Sequence, residues 1–113
     1  METLDERRCQ SSRLRSKFRD RVPVIANAGN QRTLAAFGTE TPKIKFLAPN
    51  DLSFGEFMYI IRKRIKVDAK EALVGFVDGV LPPNGKRMSE LYSESSSEDG
   101  FLYVTYSLEN TFG

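Results

Sequence analysis

Histidine is absent from this sequence and cysteine occurs once, at Cys9. Without histidine the chain lacks the usual general base near neutral pH and the commonest nitrogen ligand of transition metals. A single cysteine excludes an intrachain disulfide and a thiolate metal cage. Cys9 stands among Arg7, Arg8 and Arg13, cations of the kind that lower a thiol pKa. No partner base accompanies it, however, and a spare thiol on a solvated helix is the simpler reading. Long apolar runs are also missing, since none approaches the ~20 residues that span a bilayer. The charged stretch from Met1 to Asp20 lacks the apolar core of a secretory signal, so a cytoplasmic location is expected. This inventory argues against an enzyme, and no cofactor or metal is expected.

What remains is 113 residues of ordinary apolar content, enough for one domain with one hydrophobic core. The net charge of +2 is modest, but its distribution is uneven. Met1 to Lys66 carries 14 Lys/Arg against 7 Asp/Glu, whereas Val67 to Gly113 carries 3 against 8. A basic first half suits acidic peptides, membrane phosphates or nucleic acid, and equally suits helix faces that are simply solvated. Nucleic-acid binding through Arg13 to Arg21 and Arg62 to Lys66 is not expected, because no stacking aromatics are interleaved with those cations.

Thr3-Leu4-Asp5-Glu6 has the form of a capping box and opens a helix through about Phe18. Its apolar stripe is thin, with Leu14 and Phe18 four apart, which predicts packing by the last turns and fraying of the first. Arg21 to Ala26 is β-branched and apolar, hence a strand, with Pro23 near its start or at an edge. Asn27 to Pro42 reads as a long loop that Leu34 and Phe37 pin to the body. Lys43 to Ala48 alternates basic and apolar residues and ends at Pro49. As a strand it puts Ile44 and Phe46 on one face and Lys43, Lys45 and Leu47 on the other. The clearest helix start is Ser53 with Glu56, followed by the stripe Phe54, Phe57, Met58, Ile61 and Ile65. Arg62, Lys63, Arg64 and Lys66 then suit the helix dipole.

Leu73 to Val77 reads as a strand turning through Asp78-Gly79 into Val80-Leu81. Pro82-Pro83 stops it, and Asn84 is expected to cap a short helix carrying Met88, Leu91 and Tyr92. Phe101 to Tyr106 has the composition of a central strand, and Ser107 to Gly113 reads as an unanchored tail. The order helix, strand, strand, helix, strand, short helix, strand predicts an α+β β-grasp, a four-stranded sheet around one main helix with an added N-terminal helix.

The blocks Asp20-Arg21-Val22-Pro23-Val24-Ile25, Lys45-Phe46-Leu47-Ala48-Pro49, Tyr59-Ile60-Ile61-Arg62-Lys63-Arg64-Ile65 and Val80-Leu81-Pro82-Pro83 stand in sequence here. They are followed by Asp99-Gly100-Phe101-Leu102-Tyr103-Val104-Thr105-Tyr106-Ser107 and Glu109-Asn110-Thr111-Phe112-Gly113. With them the chain resembles the autophagy-related ubiquitin-like modifiers, the family that includes the GABA-A-receptor-associated protein and microtubule-associated light chain 3. The resemblance implies a ubiquitin-like domain over 21–107, an N-terminal helical segment over 1–20 and a flexible tail over 108–113. It also implies that Gly113 is activated by an E1-like enzyme, passed to an E2-like enzyme, joined to phosphatidylethanolamine on autophagosomal membranes, and released by a cysteine protease. Gly113 is then either encoded last or exposed by processing. Glycine suits this chemistry because, lacking Cβ, it lets the acyl carbon enter a narrow channel.

The family also docks receptor and adaptor peptides of the form aromatic-x-x-aliphatic by β-augmentation on the strand that here runs from Lys43 to Ala48. Carried over, an aromatic pocket falls to Leu14, Pro23, Lys45, Leu47 and Phe101. An aliphatic pocket falls to Phe46, Ala48, Pro49, Leu52, Phe57 and Ile60. Arg21, Lys43, Lys45 and Arg64 fall where acidic residues flanking the peptide would lie. Against these stand plainer readings: Leu52, Phe57 and Ile60 as core of the helix, and Lys43 and Lys45 as charges that protect a sheet edge. The chain departs from the family in a shorter N-terminus, a longer loop over 27–42, Phe46 in place of a common tyrosine, and Ala48 in place of a larger aliphatic. A monomer in solution is expected. The alternative function is a non-covalent ubiquitin-like adaptor that is never lipidated.

Overall fold

Residues 2–29, 43–68 and 70–109 are described by a computed structural model. Leu34 and Phe37, expected to pin the loop, and Gly113, expected to be the reactive end, lie outside these residues. Helix α1 spans Leu4–Lys17, strand β1 Arg21–Ala28, β2 Ile44–Pro49, helix α2 Phe54–Ile65, β3 Ala72–Phe76, helix α3 Met88–Ser95 and β4 Leu102–Glu109.

The four strands form one sheet in the order β2-β1-β4-β3. Strand β1 runs antiparallel to β2 and parallel to β4, which in turn pairs antiparallel with β3. A central strand with a parallel neighbour must be covered on both faces, and β1 is buried without interruption from Val22 to Ile25 and on to Ala26. Val22, Val24 and Ala26 join the main core with Phe57, Ile61, Leu102, Val104 and Tyr106, which puts α2 on that face. Pro23 and Ile25 point to the other face. Pro23 precedes Val24, the first residue paired with β4 (Val24↔Leu102), so the sheet loses no ladder bond to β4 at the proline.

Helix α2 begins as its sequence demands. Ser53 Oγ accepts from the Glu56 N–H at 3.1 Å, and Glu56 Oε1 accepts from the Ser53 N–H at 3.1 Å. The hydrogen bond from the Ser53 N–H, and after it one from the Ser53 side chain, hold the Glu56 carboxyl below its usual range. The next free amides of α2 are taken by the loop before α3: Phe54 N–H donates to Lys86 O at 2.7 Å and Gly55 N–H to Asn84 O at 2.9 Å. Asn84 therefore serves the start of α2 and not that of α3, contrary to expectation. The N-cap of α3 is Arg87, whose N–H donates to Glu90 Oε1 at 3.1 Å. Asp78 (φ 51°) and Gly79 (φ 76°) form the expected tight turn, although the return strand is a single bridge, Val77↔Val80.

Two further expectations are corrected. Strand β4 does not stop at Tyr106: Ser107 and Leu108 are buried, and Leu73↔Leu108 and Ala72↔Glu109 continue the ladder. The unanchored segment placed at 108–113 thus loses Leu108 and Glu109 to the sheet, because Leu108 has an apolar partner across the strand. Helix α1 is also held along its first half rather than by its last turns alone. Arg7 Nε contacts Asp99 Oδ2 at 3.0 Å, Arg8 Nε donates to Glu98 O at 3.1 Å, and Ser11 Oγ donates to Asp99 O at 2.6 Å. The helix docks through polar groups, which a thin apolar stripe does not reveal.

Candidate functional site at the β2 edge

Strand β2 lies at the margin of the sheet. Among the described residues its outer side pairs with no strand, so its backbone is open to a partner. The register Pro23↔Leu47 and Ile25↔Lys45 places Lys45 and Leu47 on the α1 side, while Val24↔Phe46 and Val22↔Ala48 place Phe46 and Ala48 on the α2 side.

Between α1 and β2 is a cavity of about 340 Å³. It gathers all five residues assigned to the aromatic pocket: Leu14 from α1, Pro23 from β1, Lys45 and Leu47 from β2, and Phe101 just before β4. Gln10, Val24, Phe46 and Arg64 complete its lining. Phe101 and Pro23 are buried and form its inner wall, whereas Lys45 is exposed at its mouth.

Of the aliphatic set, Phe46, Ala48, Leu52 and Phe57 lie on the core side of β2, whereas Pro49, paired with Arg21, falls on the face of Lys45 and Leu47. Phe57 and Ala48 are completely buried and belong to the core. Phe46 packs edge-to-face on Phe57, with ring centroids 5.7 Å apart. Phe46, Leu52 and Ile60 are half-buried, so they supply the surface on the α2 side while Phe57 and Ala48 lie beneath. Of the flanking cations, Lys43 is exposed and Arg64 sits 5.9 Å from the Phe46 ring centroid. Arg21 Nη1 donates to Leu47 O at 3.4 Å.

Asp99 was assigned no role from sequence, yet it holds two walls of the cavity together. It is 4 % exposed. Its carboxylate accepts from the Phe101 N–H at 3.0 Å, from Arg7 and from the Tyr103 hydroxyl. Burial alone would raise its pKa, but the bonds from Tyr103, Phe101 and Arg7 together hold it below the usual carboxylate value. Burial, and then the bond to Asp99, push the Tyr103 phenol up to about 12. Gly100 follows at φ +84°, where an added Cβ would approach Ser11 Cβ to 2.9 Å, so α1 closes on backbone that favours glycine.

A second cleft, about 390 Å³, lies at the opposite margin between α2 and β3, lined by residues such as Phe54, Met58, Leu73 and Gly75. It contains none of the residues assigned from sequence. Among the described residues no cluster of three His, Cys, Asp or Glu is placed to hold a metal. No described helix is long and apolar enough to cross a membrane.

The family model described as autophagy protein Atg8, ubiquitin-like, matches residues 6–113. The chain belongs to the Atg8 family. It is similar to autophagy-related protein 8e of Arabidopsis thaliana, 47% identical over 96% of this chain and 86% of that protein. It is equally similar to autophagy-related protein 8 of Schizosaccharomyces pombe, at 47% identity over 98% and 88%. Among solved structures it resembles Trypanosoma brucei ATG8, with TM-score 0.81 and 32% identity over 99% of this chain and 93% of that one. It also resembles Plasmodium falciparum Atg8 in complex with a Plasmodium falciparum Atg3 peptide, with TM-score 0.80 and 28% identity over 96% and 93%. The β-grasp fold with its N-terminal helix is thus an Atg8 fold. As an Atg8 protein the chain is a ubiquitin-like modifier of autophagy and not itself an enzyme.

Proposed function

We propose that this Atg8 protein docks aromatic-x-x-aliphatic peptides on β2 and is joined through Gly113 to phosphatidylethanolamine on autophagosomal membranes. The docking reading is carried by one observation: a strand edge left unpaired among the described residues, with an apolar cavity on one face and an apolar surface on the other. Side chains three apart on an extended peptide point to opposite faces and lie about 10 Å apart along it. A peptide pairing with β2 therefore sends its aromatic residue toward Leu14, Leu47 and Phe101, and its aliphatic residue toward Phe46, Leu52 and Ile60. Arg21, Lys43, Lys45 and Arg64 offer positive charge to acidic flanks.

Conjugation rests on family membership and on Gly113. The terminal carboxylate is adenylated by an E1-like enzyme and transferred as a thioester to an E2-like one. The amine of phosphatidylethanolamine then displaces the thiolate, forming an amide that a cysteine protease later hydrolyses. The Atg3 peptide bound by the Plasmodium relative supports a conjugation enzyme as one partner. Reconstitution with cognate conjugation enzymes, ATP and phosphatidylethanolamine liposomes tests both parts. A Gly113→Ala chain is expected to lose the lipidated product yet bind a Trp-x-x-Leu peptide as the parent does. Normal lipidation of that variant contradicts the role of Gly113. A parent chain that binds peptide but never forms a thioester is a non-covalent adaptor.

A further inference from the structure

Lys45, at the mouth of the cavity, already has a carboxylate partner within its own chain. Glu2 Oε1 lies 3.7 Å from Lys45 Nζ. Gln10 joins the pair, accepting from Lys45 Nζ at 3.5 Å and donating through its amide to Glu2 Oε2. Nor does Glu2 dangle: its carbonyl accepts from Arg7 Nη1 at 2.8 Å, and Arg7 is tied to buried Asp99. The hydrogen bond from Gln10, and after it the charge of Lys45, hold the Glu2 carboxyl below its usual pKa. The segment leading into the anchored helix that builds one wall of the cavity thus delivers a carboxylate to its rim.

We infer that Glu2 acts as a built-in substitute for a docking peptide's acidic flank and so sets which flanks the groove rewards. This rests on the peptide-docking reading. A peptide carboxylate that reaches Lys45 must replace Glu2, exchanging one ion pair for another with little net gain. One that reaches Lys43, which forms no ion pair among the described contacts and whose charge acts on Glu2 more weakly than that of Lys45, has less to displace. Glu2 is therefore a specificity-determining residue: it discounts acidic residues placed next to the aromatic anchor.

The test uses two synthetic peptides that share a Trp-x-x-Leu core, one with two Asp immediately before the Trp and one with two Ser there. Each is titrated calorimetrically into the full chain, Glu2→Gln, Lys45→Met and the double variant. Glu2→Gln is expected to tighten the acidic peptide about two- to fivefold, the scale of a surface ion pair, and the Ser peptide less than ~1.5-fold. On the Lys45→Met background the Glu2→Gln effect is expected to vanish. An equal effect on both peptides, no effect on the acidic one, or persistence without Lys45 overturns the inference and leaves docking intact. If neither peptide binds the parent chain, the docking reading falls and takes this inference with it.

Discussion

Replacing Asp99 by Asn removes one negative charge from a site that is 4 % exposed and keeps its volume. The carboxylate receives hydrogen bonds from the Phe101 N–H and Arg7 Nε, each at 3.0 Å, and from the Tyr103 hydroxyl. Hydrogen bonds to a charged group contribute about 1.5–3 kcal/mol each. Two corrections reduce the sum. The Arg7 side chain is 32% exposed, so solvent screens its share, and the Asn carbonyl still accepts one of the bonds. A loss of about 2 kcal/mol follows. With a urea slope of about 1–3 kcal/mol/M for a domain of this size, the unfolding midpoint should fall by roughly 1 M.

The same substitution makes a pH prediction whose sign is fixed. Asp99 has a folded pKa below its ordinary 3.8. Its contribution is therefore present above about pH 3.8 and is lost as pH falls through the lower folded value. Other carboxylates titrate in both proteins, so the quantity to follow is the difference in stability between parent and Asp99→Asn. That difference should be full at pH 6 and shrink as the solution is acidified below pH 4. Urea unfolding followed by far-UV circular dichroism at several pH values measures it. A midpoint shift below ~0.3 M at pH 6, or a difference that does not change with acidification, refutes Asp99 as the charged anchor of α1.

Leu47→Ala removes an apolar wall of the cavity at the β2 edge and is expected to weaken a Trp-x-x-Leu peptide by about 1–3 kcal/mol in a calorimetric titration. Unchanged affinity would count against the pocket. Ser53→Ala deletes the side-chain cap of α2 and is expected to cost about 1 kcal/mol by urea unfolding. Peptide affinity should hold, since Ser53 does not line the cavity.

The parts that were legible in the sequence are those in which neighbours along the chain carry the signal. The Ser53/Glu56 box and the stripe of Phe54, Phe57, Ile61 and Ile65 reappear in α2 with the expected cap and buried face. The alternation through Lys43 to Ala48 gives the faces seen in β2, since Lys45 and Leu47 register with Ile25 and Pro23. The five residues expected in the aromatic pocket come from four separate places in the chain, and periodicity did not group them; the family resemblance did. Three features escaped. Leu108 continues the period-two series Leu102, Val104, Tyr106, a cue outweighed by the polar residues that surround it. Asn84 looked like a cap for the helix that follows it, but its carbonyl reaches back to Gly55, and only tertiary structure brings those two together. Asp99 looked like one more acid in a polar loop, because a carboxylate is rarely buried unless paired, and its partner Arg7 is 92 residues away.

Amide hydrogen–deuterium exchange with and without a saturating aromatic-x-x-aliphatic peptide tests β2 docking most directly. The account predicts slowed exchange in residues 44–49, where the peptide backbone pairs, with little change in residues 72–76 at the opposite edge. Protection confined to 72–76, or none at 44–49 under saturation, would contradict it.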